Sequence, residues 1–243
     1  MESEAGARVT IEDGLAVLAL DDGRPVNVLS SPRLTALAEL LSRLFDPKAS
    51  PRVRALLIVG NDRGSFSAGA DLREIARLDP EAAMRLSRRG GRVMRKLIDA
   101  PVPTGALITG HALGGGFDLA LSVDVTVATP ESVFAHPGVS RGFFTGWGGT
   151  ARIPCSSRAR GFVRPLLTGE ILPASEARAL GLVAEVLSQD AARAWIERTL
   201  RTFASWPIEA RDAWRAARVG ARARPLSRAL LALARVDTPE SGC

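Results

Sequence analysis

An α/β fold with a helical annex at its C-terminal end follows from three features of the 243-residue sequence. Short apolar runs alternate with segments of helical periodicity, glycine-rich turns stand where runs give way to helices, and beyond Ser156 the periodicity is almost wholly helical. The composition, 46% hydrophobic and 24% charged, is that of an ordinary folded chain. A chain of this size buries roughly 70% of its unfolded surface, so its core needs neither disulfides nor a metal.

The elements run as follows. Val9 to Ile11 and Leu15 to Leu20 are apolar runs separated by Glu12-Asp13-Gly14, whose Asp-Gly pair signals a tight hairpin. Ser31-Pro32 opens a helix in which Leu34, Leu37, Leu41 and Leu44 recur at helical spacing, and which ends before Pro47. Arg54 to Val59 reads as a buried strand, followed by a small-residue loop from Gly60 to Ala70. A second helix starts at Asp79-Pro80-Glu81 and runs to about Ile98, where Pro101 and Pro103 stop it. The centre repeats the scheme: a strand over Thr104 to Thr109, a turn at Gly114-Gly115-Gly116, a short helix over Phe117 to Ser122, and a strand over Val123 to Ala128. Helices are expected over Arg158 to Leu167, Ala174 to Leu180, Ala191 to Ser205, Ile208 to Val219 and Leu226 to Val236, with one strand, Leu182 to Leu187, among them.

Charge and composition exclude several functions. The 32 basic and 26 acidic residues leave +6, and almost all the cations are arginines scattered among carboxylates. Aromatics make up only 5%, whereas nucleic-acid surfaces interleave them with basic clusters. His111, His136, Cys155 and Cys243 provide no ligand set for a structural zinc, and two distant cysteines suit a reduced compartment. No apolar run reaches the ~18 residues of a membrane span, and Met1-Glu2-Ser3-Glu4 is unlike a secretory signal, so a cytoplasmic protein is expected. A P-loop is absent, Gly146-Trp147-Gly148-Gly149-Thr150-Ala151 lacks the βαβ context of a dinucleotide site, and Ser67 lacks the first glycine of a nucleophile elbow.

Two loops can carry chemistry. Ser65-Phe66-Ser67-Ala68-Gly69-Ala70-Asp71-Leu72 and Gly110-His111-Ala112-Leu113-Gly114-Gly115-Gly116-Phe117-Asp118 each put small residues between a strand and a helix. Such a loop lets a ligand approach the backbone, and two N–H groups converging on one carbonyl oxygen form an oxyanion hole. For either loop alone, tight turns are an equally good reading; together the two are more specific.

With these loops in place, the chain resembles the crotonase superfamily, the enoyl-CoA hydratase/isomerase family. The matching segments are Gly23-Arg24-Pro25-Val26-Asn27-Val28-Leu29, Phe66 to Leu72, Gly110 to Gly116, Gly146 to Pro154, and Leu167-Thr168-Gly169-Glu170 through Gly181-Leu182-Val183, in family order. The resemblance implies a spiral of ββα units over residues 1–190 and a C-terminal helical region over 191–243 that assembles trimers, often paired into hexamers. It implies an acyl-CoA thioester as substrate, no separate cofactor, lyase or isomerase chemistry of the kind used in fatty acid metabolism, and a thioester oxygen held by the backbone N–H groups of Ala68 and Gly115. By the same resemblance Arg24 stands near the CoA phosphates, and Ala68, Ala70, Asp71 and Leu72 line the adenine and pantetheine pocket.

The departures bear on the reaction. Family hydratases use two glutamates; here the positions hold Asp118 and Gly138. Aspartate shortens the reach by a methylene and glycine offers no acid or base, so two-glutamate hydration is expected to be impaired. Asp118 is the first candidate for sole acid or base, with loop-ordering as its alternative role; His136 is the second, with a satisfied loop histidine as its alternative. His111 and Arg141 are weaker candidates, Arg141 as a partner for a substrate carboxylate, while Phe143, Phe144 and Trp147 are expected to wall the acyl pocket or the core. Isomerisation or decarboxylation needs fewer acid/base groups than hydration, and a non-catalytic binder of acyl-CoA or of an acyl carrier protein is the competing class. Asp237-Thr238-Pro239-Glu240-Ser241-Gly242 resembles the entry to the family's last helix, and the resemblance implies that this final helix is missing after Cys243, so weaker CoA closure, a different assembly or a covering partner is expected.

Overall fold

The computed structural model describes residues 2–4, 6–142, 146–152 and 160–218. Its strands, numbered in chain order, form two sheets. The larger runs, in spatial order, β1 (Glu2–Glu4), β2 (Ala7–Glu12), β3 (Leu15–Leu20), β4 (Ala55–Val59), β6 (Thr104–Ile108), β8 (Val125–Ala128) and β11 (Glu185–Val186). It is antiparallel from β1 to β3 and parallel from there on. The smaller sheet runs β10 (Leu172–Pro173), β9 (Val133–Ala135), β7 (His111–Leu113) and β5 (Ser65–Ser67), with β5, β7 and β9 parallel. Asp13 and Gly14 turn the first hairpin with φ of 49° and 80°, the left-handed pair that a two-residue connection requires.

Eight α-helices are described: α1 (Ser31–Leu44), α2 (Leu72–Ile75), α3 (Pro80–Ile98), α4 (Gly115–Ala120), α5 (Arg160–Thr168), α6 (Ala174–Ala179), α7 (Gln189–Ala204) and α8 (Ile208–Arg218). The leucines of α1 are buried as their spacing predicts, although no serine side chain caps it; instead Glu74 Oε2 accepts the Ser31 N–H at 2.9 Å. On α3, Asp79 caps the N-terminus by accepting the Ala82 N–H at 2.6 Å, and Leu86, Val93, Met94 and Leu97 turn inward. Alternation along the parallel strands divides the apolar residues between two cores. Leu56 and Ile58 of β4 join α1 and α3 on one face; Leu57, with Leu15, Leu107 and Val127, joins Ala192, Ile196 and Leu200 of α7 on the other.

The strands β5, β7 and β9 lie in stretches without a strand assignment in the sequence reading, because three residues are too short for alternation to register. The strand expected over Leu182 to Leu187 contracts to Glu185–Val186, after Gly181 takes a φ of 75° at the end of α6. The helix expected over Leu226 to Val236 and the family's last helix lie outside the described residues. Among the described residues no helix is long and apolar enough to cross a membrane.

A single buried amide ties the hairpin to the second sheet. Asn27 is fully buried, and its Nδ2 donates to the carbonyls of Leu20 (2.6 Å), Ser65 (2.9 Å) and Phe66 (3.2 Å). Its own N–H donates to Ser65 Oγ at 3.1 Å, and its carbonyl accepts the Ala68 N–H at 2.8 Å. Asn27→Ala removes the amide that donates to the Leu20, Ser65 and Phe66 carbonyls, of which that of Ser65 keeps the Asn61 N–H, and is expected to lower the unfolding free energy by about 3 kcal/mol in urea titrations. A loss below about 1 kcal/mol would show that the clamp is dispensable.

Candidate active site

The parallel strands β5, β7 and β9 end side by side, and the residues that follow each of them meet in one cavity of about 260 Å³. Ligand sites at the carboxyl ends of parallel strands are the rule in open α/β sheets. Ala68 and Ala70 arrive from β5, Gly114 and Gly115 from β7, and His136 and Gly138 from β9. Asp118, one turn into α4, completes the polar set, and Leu72, Ile75, Leu78 and Leu86 wall the cavity with hydrocarbon.

The two loops are pressed together at their glycines. A Cβ on Gly69, whose φ is 84°, would stand 2.6 Å from the Gly115 nitrogen and 2.6 Å from the Leu113 carbonyl oxygen. A Cβ on Gly116 would strike the Ser67 carbonyl, and one on Gly115 would strike the Trp147 ring. Trp147 is itself wedged between Gly115 and Gly90 of α3, and Ser87 of α3 donates its hydroxyl to the Gly146 carbonyl at 2.8 Å. Glycine at each position is therefore a condition of contact between loops, beyond the turn it permits.

That contact decides which N–H groups face the cavity, and it corrects the expectation for Ala68. The Ala68 N–H donates to the Asn27 carbonyl at 2.8 Å and is thus already engaged. At Gly69 the pairing slips by one residue: Leu29 donates to the Gly69 carbonyl at 2.7 Å, in a bridge between Leu29 and Ala70, and among the described residues the Ala70 N–H has no acceptor. Gly115 is the first residue of α4, where an N–H has no acceptor within the helix. Ala70 and Gly115, both on the cavity wall, are the donor pair the geometry offers.

Beneath them lies a buried carboxylate and imidazole. His136 Nε2 is 3.4 Å from Asp118 Oδ1, with side-chain exposures of 3% and 1%. His136 stacks on Phe117, ring centroids 5.2 Å apart, and this apolar burial pushes its pKa down to about 4. Desolvation disfavours the charged form, so the imidazole is neutral at pH 7. Arg152 backs the pair: its guanidinium donates to the carbonyls of Trp147 (2.7 Å) and Asp118 (3.4 Å). Burial lowers its pKa, and attraction to Asp118 opposes that shift. Gly149 packs so closely over Asp118 Oδ1 that any side chain there would displace the carboxylate.

The other expected site residues are dispersed. Arg24 has a side chain 64% exposed, 3.9 Å from Asp22, and does not line the cavity. Asp71 caps α2 by accepting the Arg73 N–H at 2.9 Å, whereas Leu72 reaches the cavity wall. His111 is an exposed residue of β7, while Arg141 is exposed at the cavity rim. Phe143 and Phe144 lie outside the described residues. Leu86 and Ser87 escape sequence reasoning, because a leucine or serine on a helix carries no local signal of a site; Gly149 and Arg152 fall in the matching segment Gly146 to Pro154, where the resemblance assigns them no role. Among the described residues, no group of three or more His, Cys, Asp or Glu is placed to hold a metal ion.

The fold and this cavity define a class. A family model for enoyl-CoA hydratase/isomerase matches residues 10–233, and the chain belongs to that family. The enoyl-CoA hydratase of Mycobacterium smegmatis has the same fold, with a TM-score of 0.76 and 29% identity over 88% of this chain and 82% of that one. The crotonase-like α/β architecture expected from the motifs is thereby established. In sequence, the chain is 32% identical over 180 residues to the crotonyl-CoA hydratase of Syntrophomonas wolfei, covering 74% of this chain and 68% of that one. It is 32% identical over 177 residues to the mitochondrial methylglutaconyl-CoA hydratase of Mus musculus, covering 73% of this chain but only 55% of that relative.

The depressed pKa of His136 has a consequence for stability. Between pH 6.5 and 4 the unfolded chain takes up a proton that the folded chain refuses, so this residue's contribution is complete above 6.5 and is lost as the pH falls toward 4. Wild type should lose about 1 kcal/mol more than His136→Gln between pH 7 and 5.5 in urea titrations. Parallel losses would mean that His136 titrates in the fold as it does in water.

Proposed function

We propose that the cavity binds an acyl-CoA thioester and moves a proton at its α-carbon. The N–H groups of Ala70 and Gly115 hold the thioester oxygen, and Asp118 is the base. The observation that carries this reading is the meeting of two backbone donors and a buried carboxylate in one hydrocarbon-walled cavity. Abstraction of an α-proton leaves an enolate whose charge collects on the thioester oxygen; one well-placed donor is worth about 3 kcal/mol there. Burial among Phe117, Leu86 and Trp147 keeps water away and strengthens those contacts.

Isomerisation fits the side chains better than hydration does. Gly138 lines the cavity where a second carboxylate would be needed to activate water. A single base can take a proton from one carbon and return it to another, and the neighbouring imidazole is neutral. Decarboxylation of a substrate with a β-carboxylate uses the same oxygen-holding groups and needs no base at all, and Arg141 at the rim suits that anion.

Exchange of α-protons from butyryl-CoA into deuterated water, followed by proton NMR, separates an enzyme from a binder. Wild type is expected to catalyse exchange, and Asp118→Asn to slow it by about 10² to 10⁴-fold while thermal stabilisation by the thioester persists. Unchanged exchange in Asp118→Asn removes this residue from the mechanism; stabilisation without exchange in wild type supports a binding protein instead. The proposed assembly is a trimer, supported by the exposed Val163, Leu167 and Ile171 on and after α5. Light scattering should give three times the chain mass, and a stable monomer would contradict it.

A further inference from the structure

Helix α3 forms one wall of the cavity and at the same time concentrates the charge of the molecule. Arg85, Arg88, Arg89, Arg92, Arg95 and Lys96 stand against a single carboxylate, Glu81, so this 19-residue helix carries +5 of the chain's formal +6. The five arginines are exposed, and Arg85 pairs with Glu81 at 3.1 Å. Among the described residues no carboxylate lies within ion-pair distance of Arg88, Arg89, Arg92 or Arg95. Arg89, Arg92 and Lys96 also line a groove of about 210 Å³ against α1, where the facing charge is a lone carboxylate, Glu39. The opposite face of the same helix contributes Leu86 and Ser87 to the active-site cavity, one helix diameter (about 10–12 Å) away.

We propose that the outer face of α3 is a docking surface for an acidic carrier protein that presents the acyl thioester on a phosphopantetheine arm. The proposal rests on the acyl-thioester reading of the cavity and names how the substrate is delivered. Self-repulsion of this kind persists on a surface when an oppositely charged partner uses it. A two-fold-related copy of the chain would bring the same positive helix, and the trimer proposed above is supported by apolar residues on and after α5; the segment from residue 219 to residue 243 is itself arginine-rich and does not complement this face. A membrane surface calls for apolar side chains beside the cations, and Met84 is the one large apolar side chain of α3 that is exposed. Single-stranded nucleic acid calls for stacking aromatics, and α3 has none. An acidic protein satisfies the charge without either, and a flexible arm leading around the helix would reach the cavity that α3 walls.

The test measures binding of a purified acidic acyl carrier protein, in its holo form and without an acyl group, so that the surface is read independently of the chemistry. Calorimetric titrations compare wild type, Arg88→Glu/Arg92→Glu, and the milder Arg88→Gln/Arg89→Gln/Arg92→Gln, with melting curves confirming that each variant is folded. Crotonyl-CoA binding is measured in parallel. The expected result is that wild type binds the carrier protein, that the charge reversal weakens it at least tenfold, that added salt weakens it further, and that crotonyl-CoA affinity changes less than twofold. Absence of carrier binding, or equal binding by all variants, overturns the proposal. A parallel loss of crotonyl-CoA affinity overturns it in favour of a CoA-phosphate site. Equal charge-dependent binding of phosphatidylglycerol vesicles or duplex DNA shows a nonselective polyanion surface and overturns it too. If wild type fails to bind crotonyl-CoA at all, the cavity reading falls instead, whatever the carrier protein does.

Discussion

The approach of Gly69 to Gly115 is the constraint on which the rest of the site depends. Two loops from two parallel strands touch backbone to backbone there, at a separation that excludes a Cβ. At the same residue the pairing of the first loop slips by one, among the described residues the Ala70 N–H has no acceptor, and α4 begins opposite with Gly115. Asn27 holds the loop from the other side by engaging Ser65, Phe66 and Ala68. A rigid pair of donors costs nothing to reorganise as charge develops, which is why backbone groups locked by packing serve this purpose well.

Burial then sets the chemistry beneath the donors. Asp118 and His136 are held by Phe117, Gly149 and the Trp147 wedge, with the Arg152 guanidinium behind them. In the proposed reaction a neutral imidazole beside a carboxylate leaves one titratable acid as the base, and Gly138 supplies no second. The proposal is therefore confined to reactions needing one base or none.

The leucine spacing of α1, the Asp-Pro start of α3 and the glycine turns were legible in the sequence because each is a local signal, carried by periodicity, a cap or a positive φ. The strands of the smaller sheet were not, since three residues carry no period. Asp118 and His136 could be singled out one by one, but their separation of 3.4 Å arises from β7 pairing with β9, a contact between distant segments. Ala68 shows the same limit: its motif places it at the site, yet only the hydrogen bond to Asn27 reveals that its N–H is occupied. The arginines of α3, which look dispersed in a chain rich in arginine, become a single charged face once helix geometry and the burial of Leu86, Val93 and Leu97 are known.

Polarisation of the bound thioester tests the central claim most directly. In an isotope-edited infrared difference spectrum of carbonyl-labelled crotonyl-CoA, two backbone donors should move the thioester stretch to lower frequency than in water, because preorganised donors outdo a mobile solvent. A bound carbonyl that absorbs at its solution frequency would contradict the account, for it would place the oxygen away from Ala70 and Gly115.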